Sequence, residues 1–142
     1  DEEGPVMLFN KKIIKNIGFF DEKFFLYFEE MDLFLKYKRN KLKVFYATKF
    51  KIKHNRASSV SGNEEKIKNL RAWHYMWSMF YFYKKNYNLI YAIKKIYILL
   101  IKDIIMMLVY LTLINKVKFN HRLNRVYGAI SAILGLKSFK RP

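Results

Sequence analysis

Three carboxylates, Glu29, Glu30 and Asp32, fall within four residues, directly after the aromatic run Phe24-Phe25-Leu26-Tyr27-Phe28. Acidic residues are scarce in this chain, 11 against 28 Lys and Arg, so their clustering beside apolar rings is pointed. Aromatic side chains exclude water, and a carboxylate held against them can act as a general base. The same residues have a plainer use. Glu29 and Glu30 can open a helix, where carboxylates favour the positive end of the dipole, with Asp32 on its second turn.

The elements that must position these groups can be read from pattern. Residues 5–9 form a short apolar strand. Asn10 caps a helix over residues 11–17, and Gly18 ends it in a left-handed turn. Residues 19–25 form a loop, and a helix over about 28–39 carries the carboxylates. Residues 43–47 and 50–53 alternate and are rich in strand formers. Ser61 with Glu64 fits a capping box, which predicts a helix from there to about residue 85. Ile67, Leu70, Trp73, Trp77 and Tyr81 lie along one side of it.

Residues 18–33 resemble the Gly-Gly-Phe-Asp-Glu-x-Phe-Phe-x-Tyr-x-Glu-Asp-x-Asp-Leu signature of family 2 glycosyltransferases, especially rhamnosyltransferase-like members. The likeness extends over roughly residues 4–86. Gly4-Pro5-Val6-Met7-Leu8-Phe9 with Lys11-Lys12 looks like the strand and helix start before the signature. Val44-Phe45-Tyr46, then His54 with Ser58 and Ser59, look like a later strand and a His-x-x-x-Ser element. Arg71, Ser78, Phe82 and Lys85 look like the helix that follows.

The resemblance implies an α/β fold: the C-terminal part of a GT-A (Rossmann-like) domain over residues 1–86, with a basic amphipathic helical tail over 87–142. It implies inverting sugar transfer from a nucleotide-sugar to a saccharide acceptor, most naturally a lipid-linked one. Glu30 occupies the position of the general base, usually Asp, and is one methylene longer. Glu29 and Asp32 would orient the loop or bind acceptor hydroxyls. Arg71 could meet a phosphate and Trp73 a sugar ring, although a solvated Arg and a packed Trp fit their helical spacing as well. Lys84 and Lys85 face the same choice. A divalent cation, Mg or Mn, is expected from the family, with His54 as a candidate ligand; a loop histidine bonded to backbone is the alternative. His74, among aromatics, reads as a core histidine, and His121 as a solvated one.

The four aspartates, Asp1, Asp21, Asp32 and Asp103, form no Asp-x-Asp, and no Gly-rich phosphate loop occurs. The donor-binding half of such an enzyme is therefore expected upstream of Asp1, and this stretch alone is expected to be inactive.

Composition sets the outer bounds. The 142 residues carry net charge +17, 52% hydrophobic residues and no cysteine, which excludes disulfides and thiolate metal sites. Residues 1–60 hold 13 basic and 8 acidic side chains, and residues 61–142 hold 15 and 3. Within the tail, residues 96–114 are largely apolar and carry no charge except at Lys102 and Asp103. Lys84, Lys95 and Lys102 share one helical stripe, which suits a helix lying in the membrane interface with those lysines facing the headgroups. A buried helix in an oligomer and a true span with Lys102 paired to Asp103 are the alternatives. Residues 116–125 continue the basic flank, and residues 126–136 read as one more short helix.

These features place the protein peripherally on the cytoplasmic face of a membrane with anionic lipids. A catalytically silent membrane-interaction piece is the runner-up. The charge and interleaved aromatics also raise a nucleic-acid-binding module, but the apolar tail argues against it, and no nucleic acid is expected as a partner.

Overall fold

A computed structural model describes residues 7–45 and 63–140. The described residues form five helices and no strand: α1 (Lys11–Ile17), α2 (Glu29–Arg39), α3 (Glu64–Asn86), α4 (Leu89–Thr112) and α5 (Lys116–Ile133). This overturns the expected α/β, Rossmann-like class. Residues 7–9 and 43–45 have strand-like composition, but among the described residues no neighbouring strand takes up their N–H and C=O groups. Leu8 is 97% exposed and Phe45 82% exposed, while Phe9 packs against Phe19, Phe20 and Tyr37 without joining a sheet. The expected strand over 50–53, with His54, Ser58 and Ser59, lies outside the described residues.

Local chemistry explains the helix ends. The Asn10 side chain accepts a hydrogen bond from Lys12 N, and Gly18 closes α1 at φ 85°. α3 starts at Glu64 with Asn63 as its cap, its side chain accepting from Glu65 N. Asn88 and Asn115 cap α4 and α5 in the same way. The C-terminal helix is longer than residues 126–136, because the basic segment expected as a flank forms its first half.

α3 is the central element. Trp73, Met76, Trp77, Met79 and Phe80 are buried in one cluster with Ala92 and Ile96 of α4 and Ala129 and Ala132 of α5. The boundary expected near residue 86 thus falls between two helices that share a core. On its other side α3 carries the 18–33 loop and α2. A helix covered on two sides must be apolar over most of its circumference, which is why α3 shows little one-sidedness.

Gly128 sets the spacing between α3 and α5. A Cβ there would lie 2.2 Å from the Trp73 carbonyl oxygen, a backbone atom that can yield only by moving the helix. Gly128→Ala is expected to cost about 1–3 kcal/mol through overpacking. The check is the urea midpoint of unfolding, which should fall; an unchanged midpoint would mean that the helices are not in this contact.

Candidate functional site

The 18–33 loop is bound to α3 by polar groups one helical turn apart, Ser78, Tyr81 and Lys85, with Asn86 beside the last of them. Ser78 Oγ donates to the Leu26 carbonyl at 2.7 Å. Tyr81 OH donates to Asp21 Oδ2 at 2.9 Å. Lys85 Nζ bridges two carboxylates, 2.8 Å from Asp21 Oδ2 and 2.7 Å from Asp32 Oδ2. Asn86 Nδ2 donates to Asp32 Oδ1 at 2.7 Å, and Arg39 of α2 donates to the Asn86 side chain and carbonyl. Rings fill the gaps: Phe24 packs edge-on against Tyr81, and Phe28 lies tilted against Phe82.

Titration follows from these contacts. Burial pushes the Asp21 carboxyl up, but hydrogen bonds from Lys85, the Lys23 amide and Tyr81 outweigh it, and the net shift is downward. Burial pulls Lys85 down, yet its bonds to Asp21 and Asp32 leave it raised. Burial, then the Asp21 bond, push the Tyr81 phenol well above its ordinary value. At neutral pH this is a charged, hydrogen-bonded clamp with Tyr81 as donor.

Clamping forces an unusual turn into α2. Tyr27 and Phe28 both sit at φ 67°, in the left-handed region, although neither is glycine. Each such residue costs on the order of 1–3 kcal/mol and persists only where its surroundings over-determine it. Here the Ser78 bond to Leu26 on one side and the Phe28 packing on the other fix the turn. Its effect is to bring Glu29 and Glu30 side by side onto the first turn of α2, which has no side-chain cap.

These two carboxylates differ from Asp21 and Asp32. Glu30 is half-buried and forms no ion pair among the described residues. Burial, then the neighbouring Glu29, push its pKa up. Glu29 Oε2 is buried without a hydrogen-bond partner among the described residues. The signature therefore separates into a neutralised pair that holds the loop and an uncompensated pair at the helix start.

The other residues singled out from sequence are dispersed. Asp32 is buried in the clamp and faces no solvent. Trp73 is 0% exposed, packed against Trp77, Tyr127 and Phe139, so its ring is closed to a sugar. Arg71 is exposed on α3. His74 is buried, 2.7 Å from the Lys140 carbonyl and 3.2 Å from Ser138 Oγ, and ties the C-terminal segment to α3. His121 is half-buried rather than solvated; burial, then Arg122 and Arg125, lower its pKa. His54 lies outside the described residues.

Sequence reasoning missed the clamp itself. Its signal was present as the Tyr81–Lys85 spacing of four, which puts both groups on one face of α3. Among the described residues no three His, Asp or Glu side chains converge to hold a cation. No family model, curated protein or solved structure matches the chain.

Proposed function

We propose that this chain supplies the general base and the acceptor side of an inverting glycosyl transfer, from a nucleotide-sugar to a saccharide acceptor carried on a lipid. The observation that carries this reading is the pairing of Glu30, uncompensated and raised in pKa, with the clamped loop that fixes its position. The reading rests on the signature residues and their geometry, not on a Rossmann-like fold.

Glu30 accepts the proton of an acceptor hydroxyl as that oxygen attacks the anomeric carbon. The new C–O bond forms on the face opposite the nucleoside diphosphate. The bond to the diphosphate breaks, and the leaving group takes the electron pair. The proton ends on Glu30 and passes to water. A base works best when its pKa lies near the working pH, and burial beside Glu29 moves Glu30 in that direction. Asp21, Lys85 and Asp32 act through position: they hold the turn from which α2 begins. The family's divalent cation would serve the departing diphosphate. The described residues offer no converging ligand set for it, so no step here runs through a metal.

The test is to incubate the full gene product with nucleotide-sugars and lipid-linked saccharide acceptors. Transfer with inverted anomeric configuration is expected. Retained configuration would remove Glu30 from the role of base, and no transfer with any donor would favour the catalytically silent alternative.

A further inference from the structure

α4 is covered on one side only. Ala92, Ile96 and Asp103 face α3 and α5 and are buried. The opposite side presents Ile90, Ile98, Ile101, Ile105 and Leu108 to solvent, all 40% exposed or more. At 100° per residue these five fall within a quarter-turn of one another and form one stripe along the helix, interrupted only by the exposed Lys94 between Ile90 and Ile98. The stripe runs on into the α4–α5 turn, where Leu113 and Ile114 are also exposed. Ile114 sits at φ 53°, a conformation that a β-branched residue rarely adopts, and is 81% exposed. An apolar surface this long is uncommon on a protein that meets only water.

Charge around the stripe has one sign. Residues 89–140 carry nine Lys and Arg, and Asp103 is the single acid. Asp103 is itself buried against Arg122 and Arg125, so α4 and α5 show only positive charge at their surface; among the described residues the nearest acids are Glu64 and Glu65 of α3, which lie by Tyr110 and Lys118, across α4 from the stripe. Lys95 and Lys102 lie along one edge of the stripe, Lys94 within it between Ile90 and Ile98, where its long stem can carry the ammonium out to the headgroups, and Lys116 and Lys118 beyond the turn.

We infer that the outward face of α4 is a docking surface for an anionic lipid bilayer, with the isoleucine stripe in the acyl boundary and the flanking lysines among the headgroups. Headgroup phosphates complement an all-basic rim, and the long lysine stems can reach them while their neighbours sit deeper. A second copy fits less well, because two such faces brought together would oppose lysine to lysine. The bundle holds the inner side of α4, so the helix lies along the surface instead of crossing it; among the described residues no helix is long and apolar enough to cross. Sequence pattern places Lys84, Lys95 and Lys102 as the membrane-facing groups. On this geometry Lys95 and Lys102 are edge residues, and the face belongs to the isoleucines. The lipid-linked acceptor proposed above gives the surface a use, but the inference rests on α4 alone.

The experiment is co-sedimentation of the intact chain with phosphatidylcholine vesicles, with and without phosphatidylglycerol. It compares wild type with Ile101→Asp/Ile105→Asp. Both positions are exposed, and circular dichroism checks that the helices persist. Wild type should bind the anionic vesicles, and the double variant should bind at least about 100-fold more weakly, since each substitution removes a large apolar group from lipid and adds a charge. Leu108→Trp should be quenched by brominated acyl chains. Equal binding by both proteins, binding without quenching, or no binding by wild type would each overturn the proposal. So would a wild-type dimer that the double variant dissolves and that ignores vesicles, since a second copy would then cover the face. The assay contains no sugar, so its outcome is independent of whether the transfer reaction stands.

Discussion

Glu30→Gln in the full gene product should lower turnover by about 10²–10⁴-fold, the usual contribution of a positioned general base. Glutamine keeps the size and shape of the side chain but cannot take a proton. Acceptor binding should change little, because the clamp of Asp21, Asp32 and Lys85 is untouched. The fold should not weaken either, and the sign can be worked out. The pKa of Glu30 is raised in the folded state, first by burial and then by Glu29. A group of that kind contributes stability below its unfolded pKa and loses it as pH rises through the folded one. At neutral pH the ionised Glu30 is thus a liability, and a neutral replacement removes it. A large loss of rate with an unchanged or higher melting temperature would separate catalysis from folding. Glu30→Asp should fall between the two, because it keeps the base but withdraws it by one methylene.

Asp103→Ala should cost about 3–5 kcal/mol of folding stability, the usual effect of removing one partner from a buried ion pair. The Asp103 side chain is 1% exposed and receives Arg122 Nη1 and Arg125 Nε, each at 2.7 Å. Without it, two guanidinium groups one turn apart on α5 face each other with no counter-charge. Both arginines reach some solvent, which places the expected cost towards the lower end of the range. A loss of this size is a large share of the roughly 5–15 kcal/mol that holds a domain together. The urea midpoint measures it. Replacing Asp103, Arg122 and Arg125 together by apolar residues of similar volume should recover much of the loss, because no charge is then left buried. An unchanged midpoint for Asp103→Ala would mean that the triad does not hold α5 to α4.

Short-range chemistry was legible in the sequence, and long-range partnership was not. Asn10 and Gly18 mark both ends of α1, because a cap and a left-handed glycine depend on residues within one turn. The helix α3 itself is legible from its run of apolar residues, but not that both of its sides are covered, since that depends on distant partners. Residues 43–45 show the limit. Strand composition has meaning only when a second strand is present, and the described residues provide none. The start of α3 was misplaced by two residues, since Ser61 and Asn63 can both cap and only the fold selects between them. Asp103 is a sharper case. In sequence its neighbour is Lys102, but consecutive residues on a helix point about 100° apart. Lys102 faces outward, and Asp103 finds its partners about twenty residues on, in α5.

The candidate site divides in the same way. The carboxylate cluster announced itself by its density in a basic chain. The division of labour within it could not be read, because it depends on Lys85, more than fifty residues away, choosing Asp21 and Asp32 over Glu29 and Glu30. Nor could the left-handed pair Tyr27–Phe28, which arises from docking and not from the preference of either residue.

The most direct test of the central claim is the pH dependence of kcat/KM, wild type against Glu30→Gln. Wild type should lose activity as pH falls through a pKa above the ordinary glutamate value, because protonated Glu30 cannot accept the hydroxyl proton. In Glu30→Gln that acidic limb should disappear from a much lower, flatter profile. The same limb persisting in the variant would contradict the account, since the titrating base would then be a different group.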